Sequence, residues 1–149
     1  MANKIRTILC PTDFSPAAQA AVDEAGDLAK SFSAELVLVH VVAPLPAGPS
    51  YGSLNVPEFL MELHKEADKR LTELAKKLTG AGIKSRHRVL DGVPYEKIVE
   101  TAKKEKADMV VISTHGRTGV RRMVFGSVAE KVLKLAPCPV LVVPAPKPA

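Results

Sequence analysis

Residues Met109 to Ser127 read MVVISTHGRTGVRRMVFGS, and the arrangement of the whole chain follows from this stretch. Met109, Val110, Val111 and Ile112 make an apolar, largely β-branched run suited to a buried strand, and it stops at Ser113-Thr114-His115-Gly116. Gly119 and the pair Arg121-Arg122 come next, then Gly126-Ser127 at the mouth of an amphipathic segment. A strand that feeds a glycine-punctuated loop entering a helix can hold an anion. Glycines allow positive φ and close approach of the backbone, and a helix start aims free N–H groups at the ligand. Ser127 falls where an N-cap or a phosphate-binding hydroxyl belongs. On spacing alone, a turn followed by a helix cap accounts for the same residues.

Outward from this stretch, strand and helix patterns alternate. Ile5 to Cys10 is a first strand ending at Pro11, and Ser15-Pro16 opens a helix with Ser as N-cap and Pro at the first helical position. Ala18, Ala21, Val22, Ala25, Leu28, Ala29 and Phe32 then recur as one apolar helical face. Glu35 to Val42 (ELVLVHVV) is nearly continuous in apolar character, as in a parallel strand buried on both faces. Ala43 to Pro57, rich in Pro and Gly, is longer than an ordinary connector and reads as a mobile flap near the site or an idle loop.

A second helix is expected over Glu58 to Leu78, with Leu60, His64, Ala67, Leu71, Leu74 and Leu78 as its stripe and Gly80-Ala81-Gly82 as its stop. Ile83 to Leu90 alternates and is more polar, marking a sheet edge. Asp91-Gly92-Val93-Pro94 turns into a third helix that carries Ile98, Val99 and Ala102 inward and leaves Lys103, Lys104 and Lys106 solvated. Met109 to Ser113 is strand four. Ser127 to Leu135 is helix four, with Val128, Ala129, Val132 and Leu133 buried, and Val140 to Val143 is the last strand.

Five strands and four helices in strict alternation imply one α/β domain over residues 1–149, a doubly wound parallel sheet with helices on both faces. Right-handed crossovers then leave few topologies. Ligands of such sheets bind beyond the carboxyl ends of the strands, where the winding reverses. If strands one and four meet there, the loops at Pro11 to Ser15 and Ser113 to Ser127 converge.

Bulk properties narrow the ligand. The chain has 149 residues, 46% of them apolar and 25% charged, as in a soluble globular domain. Aromatics are only 4%, with no Trp, which argues against a stacking platform for single-stranded nucleic acid. A net charge of +5 suits an acidic ligand. Cys10 and Cys138 lack metal or redox spacing and read as small buried hydrophobes. The opening MANKIRTILCPTD has no apolar signal core, and no run approaches a membrane span, so a cytoplasmic location is expected.

No Lys precedes Ser127, so the loop is not a Walker A motif, and no GxGxxG follows the first strand. Instead, Gly116 and Gly126 flank nine residues, Arg117 to Phe125. Backbone amides at both ends can grip a polyphosphate that Arg117, Arg121 or Arg122 neutralises.

These residues resemble the universal stress protein family, whose nucleotide-binding members carry Gly, two residues, Gly, nine residues, then Gly-Ser or Gly-Thr. Ser113-Thr-His-Gly116, Arg117 to Phe125 and Gly126-Ser127 match this pattern, with Ser113 in place of the first Gly. ILCPTDFS (Ile8 to Ser15), LVHVV (Leu38 to Val42), GVPYEKI (Gly92 to Ile98) and APCPVLVV (Ala136 to Val143) extend the likeness over essentially the whole chain. The resemblance implies a Rossmann-like, adenine nucleotide α-hydrolase-like fold with strand order 3-2-1-4-5 that holds ATP, ADP or AMP with Mg²⁺ or Mn²⁺ on the phosphates. Asp13 and the backbone of Val41 would meet the adenine, with Pro11 and Thr12 as pocket wall. Ser113, His115, Gly116, Arg117, Gly119, Gly126, Ser127 and Val128 would surround ribose and phosphates. Asp13 also suits a turn or cap ahead of Ser15. A branched side chain at Gly126 is expected to block the phosphate path while sparing the fold.

His115 has no Ser/Cys–Asp partner pattern nearby and reads as positional rather than catalytic; His40, His64 and His87 read as structural. No carboxylate cluster suggests an all-protein metal site. Val140, Leu141, Val142 and Val143 would expose a sheet edge, which a second copy can cover, and the family commonly dimerises through this strand. The expected function is an ATP-binding stress-response sensor or regulator with at most slow hydrolysis, since no general base is evident. The alternatives are a nucleotide-activating enzyme of the wider fold group, for which the chain has no room for a substrate domain, and an interaction module that needs no nucleotide.

Overall fold

The computed structural model describes residues 4–45, 55–115 and 126–146. Along the chain run β1 (Thr7–Pro11), α1 (Pro16–Phe32), β2 (Glu35–Val42), α2 (Val56–Gly80), β3 (Ser85–Asp91), α3 (Pro94–Lys104), β4 (Met109–Ser113), α4 (Ser127–Leu135) and β5 (Val140–Val143). The five strands form one parallel sheet in the order β3-β2-β1-β4-β5. The order expected from the sequence is therefore the order observed.

Strand alternation sorts the core into two halves. Ile8, Cys10, Leu36, Leu38 and Val111 face α1 and α2, while Leu9, Val37, Val39, Val110 and Ile112 face α3 and α4. The first two crossovers move outward on one side of β1 and the last two on the other, so right-handed connections put each pair of helices on its own face. The winding reverses between β1 and β4, which pair through Ile8–Met109 and Leu9–Val110.

Local chemistry explains the helix starts. Ser15 Oγ accepts the N–H of Ala18 at 3.2 Å and Pro16 begins α1, as expected. In α2 the cap is Asn55, whose Oδ1 accepts from Glu58 N–H at 3.3 Å. The helix therefore begins at Val56 and takes in Pro57, two residues before the sequence reading, because Pro is tolerated in a first turn where its missing N–H has no partner to lose. Residues 46–54 of the expected flap lie outside the described residues. β1 ends on Pro11 rather than Cys10, and β3 spans Ser85–Asp91 rather than Ile83 to Leu90.

Two apolar residues depart from their expected burial. Phe32 is 39% exposed and Leu133 is 46% exposed, each lying toward the end of its helix. α2 is anchored by Ala67 and Leu71, with Leu74 and Leu78 partly buried behind them. Leu71 is fully buried, and its truncation to Ala would cost about 2–5 kcal/mol. His64 does not join that stripe as a hydrophobe: its ring hydrogen-bonds Asp91 at the end of β3, while Asp68 pairs with His87. Among the described residues no helix is long and apolar enough to cross a membrane.

Candidate functional site

A cavity of about 330 Å³ opens at the carboxyl ends of β1, β2 and β4, where the winding reverses. Pro11, Thr12 and Asp13 line it from the end of β1, Val41 from β2, Ser113 from β4, and Gly126, Ser127 and Val128 from the start of α4. Eight of the twelve residues singled out in the sequence thus share one crevice. Gly116, Arg117 and Gly119 lie outside the described residues, as do Arg121 and Arg122. His115 is described but does not line the cavity.

The loop after β1 is held by its own polar groups. Thr12 N–H donates to the Val39 carbonyl at 2.8 Å, extending the β1–β2 pairing by one residue past Pro11. Thr12 Oγ1 accepts the N–H of Phe14, and Asp13 Oδ1 accepts the N–H of Ser15, both at 3.0 Å. Asp13 therefore does cap the turn, as its sequence setting allowed, and it also lines the cavity. These two bonds support Phe14 at φ 65°, a left-handed conformation that costs a residue with a Cβ about 1–2 kcal/mol.

The sequence reading missed His40. It lines the cavity, and its Nδ1 lies 2.8 Å from the Thr12 carbonyl. A carbonyl only accepts, so Nδ1 carries the hydrogen. The His40 ring stacks on Phe14 with centroids 4.7 Å apart, and the Arg70 guanidinium of α2 sits 5.1 Å from the centroid of the Phe14 ring. The available signal was position: His40 directly precedes Val41 near the carboxyl end of β2. Pro94 and Ile98 of α3 close the same wall, since the loop after β3 also reaches the ligand side of the sheet.

Backbone direction assigns the role of Val41. The N–H and C=O of one strand residue point to the same side, and alternate residues point to opposite sides. Val39 faces β1, because it accepts from Thr12, whereas Val42 faces β3, accepting from Gly92. Val41 shares the side of Val39, but the pairing with β1 ends at Pro11–Val39, so its polar groups project into the crevice.

Across the cavity, α4 starts at Gly126 as N-cap, with no side-chain capping bond; Ser127 is the first helical residue rather than the cap. The first N–H groups of a helix have no intrahelical partner and carry partial positive charge, so Ser127, Val128 and Ala129 present a donor surface. Ser113 donates its hydroxyl hydrogen to the His115 carbonyl at 2.9 Å. Its backbone is not among the described non-glycine residues with positive φ, which are Phe14, Ser33 and Lys106, so this position does not require glycine for its conformation.

The cavity therefore has a carboxylate and outward-facing strand amide groups at one end and helix N–H donors at the other. Cys10 stands beside it but is fully buried, which pushes its thiol up to about 12 and leaves it unreactive. Among the described residues no three His, Cys, Asp or Glu side chains gather as a metal site.

Comparison with known proteins agrees with this architecture. The family model of the universal stress protein family matches residues 4–144. Universal stress protein MJ0531 of Methanocaldococcus jannaschii is 42% identical over 148 residues, covering 97% of this chain and 85% of the relative. The solved structure of MJ0577 superposes with a TM-score of 0.85 at 30% identity, covering 98% of this chain and 100% of that one. A universal stress protein solved in complex with cAMP gives a TM-score of 0.68 at 26% identity, covering 95% and 98%.

Proposed function

The chain belongs to the universal stress protein family, and from that premise we propose that it binds ATP, ADP or AMP in the β1/β4 crevice as a cytoplasmic stress-response sensor or regulator. One observation carries the reading: Asp13 and Val41 line the same cavity as the helix start at Ser127 to Ala129. Asp13 accepts from the exocyclic amine, the Val41 backbone meets the purine edge, and α4 donates to phosphate. The related protein solved with cAMP supports an adenine nucleotide as the ligand class.

A divalent ion, Mg²⁺ or Mn²⁺, would ride on the phosphates, where it neutralises charge and orients them. The proposal includes at most slow hydrolysis, which phosphate release under excess Mg·ATP measures. Titration calorimetry with Mg·ATP tests the reading: stoichiometric binding is expected, and no heat at millimolar ATP refutes it.

A second reading, a dimeric interaction module that needs no nucleotide, is favoured by a different observation. Leu133 and Leu135 on α4 and Leu141 on β5 are exposed large hydrophobics, and β5 is a sheet edge. Pairing of β5 (Val140, Leu141, Val142 and Val143) with its copy would give a homodimer and satisfy that edge.

A further inference from the structure

Resting on the adenine-nucleotide reading above, we propose that Ser113 selects the sugar: its hydroxyl oxygen accepts a hydrogen bond from a ribose hydroxyl, so the crevice prefers ribonucleotides to a deoxy counterpart. The order of elements places this residue. Val41 ends the β2 side of the crevice, Asp13 follows β1, Ser113 is the last residue of β4, and the start of α4 lies beyond it. Neighbouring strands are about 4.8 Å apart, so β2 to β4 spans roughly 10 Å. A nucleotide with its base at Val41 and Asp13 and its phosphates on α4 brings its sugar over the end of β4.

The chemistry of the hydroxyl narrows what it can meet. A serine hydroxyl has one hydrogen and two acceptor lone pairs. Here the hydrogen is committed to the His115 carbonyl at 2.9 Å, so toward the cavity Ser113 offers acceptance only. Phosphate oxygens and purine ring nitrogens are themselves acceptors and gain nothing from it. The hydrogen-bond donors of an adenine nucleotide are the exocyclic amine, which goes to Asp13, and the sugar hydroxyls. The sugar hydroxyl is the group that fits. Because the backbone at Ser113 does not need glycine, the side chain is held there without backbone strain.

The test is calorimetric titration of the full chain with ATP, 2′-deoxy-ATP and 3′-deoxy-ATP, for the native protein and for Ser113→Ala, Ser113→Gly and Ser113→Thr. The native protein should bind one deoxy analogue about fivefold more weakly than ATP, the effect of one lost hydrogen bond. Ser113→Ala and Ser113→Gly should lose that ratio, and Ser113→Thr, which keeps the hydroxyl, should retain it. The ratio is the readout because a loosened loop weakens all three nucleotides alike. Equal affinities in the native protein, or an unchanged ratio in Ser113→Ala, overturn the sugar assignment while leaving nucleotide binding in place. Absence of ATP binding by the native protein overturns the nucleotide reading itself, and this proposal with it.

Discussion

Gly126 donates its N–H to the Thr114 carbonyl at 2.5 Å, and a Cβ placed on Gly126 would stand 3.0 Å from that same oxygen. This contact fastens the start of α4 to the chain leaving β4, and so sets the distance between the helix N–H donors and the rest of the crevice. A side chain here meets the protein's own backbone first. A branched residue, expected from the sequence to block the phosphate path, would press on this carbonyl as well.

Gly126→Ala should therefore affect stability as well as binding. Forcing a methyl group against a carbonyl costs about 1–3 kcal/mol in a packed site. Thermal denaturation should show a lower midpoint without any ligand, and ATP affinity should fall because α4 is displaced. An unshifted midpoint would mean that the contact relaxes freely.

Asp13→Asn separates the two tasks of that side chain. The amide oxygen can still accept the Ser15 N–H, so the turn and the melting temperature should barely change. The charge that accepts from the purine amine is lost, and hydrogen bonds to charged groups contribute about 1.5–3 kcal/mol, so ATP affinity should fall by about tenfold or more. A calorimetric titration showing native affinity would remove Asp13 from the base site.

At the opposite end of the sheet, Arg86 bridges Glu35 at 2.5 Å and Glu105 at 2.6 Å. Its hydrogen bonds hold both carboxyls below their ordinary value of 4.5. A lowered carboxylate contributes stability that is fully present above the unfolded value and is lost as pH falls through the folded one. Arg86→Met should thus be less stable than the native chain by about 1 kcal/mol near neutrality, a figure kept small because the guanidinium is partly solvated. The gap should narrow below pH 4.5. Denaturant unfolding at neutral and acid pH checks this, and a gap that widens in acid contradicts it.

Leu141→Glu tests the proposed β5 pairing. Leu141 is 37% exposed within one chain, so a single copy should fold with the carboxylate in water. Burying two such charges against each other would disfavour the pair. Sedimentation at about tens of micromolar, above ordinary interface dissociation constants, should give a dimer for the native chain and a monomer for the variant. A native monomer would dismiss the pairing.

The strands were legible because a parallel strand buried on both faces is nearly all apolar: Glu35 to Val42 and Met109 to Ser113 could hardly be read otherwise. Helix starts were legible where capping residues speak locally, as at Ser15-Pro16, and were misplaced at Val56, where Asn55 is the cap. Helical periodicity put Phe32 and Leu133 on buried faces because it records which side a residue is on, and not where the neighbouring layer ends. Of the site, the strand-end residues were readable from position. The His40–Thr12 bond and the stack of Phe14 on His40 were not, since they join residues 28 and 26 positions apart.

By itself, then, the sequence determined the alternation of elements, the two-sided burial of the central strands and the residues at their carboxyl ends, because each of these is set by local patterning. Only the tertiary structure decided how those ends meet: that Asp13 braces its own turn while lining the crevice, that Val41 faces past the end of β1, that Ser113 has spent its hydrogen on His115, and that Gly126 touches Thr114. Such relationships depend on distances between segments far apart in the chain, and local preference carries no record of them.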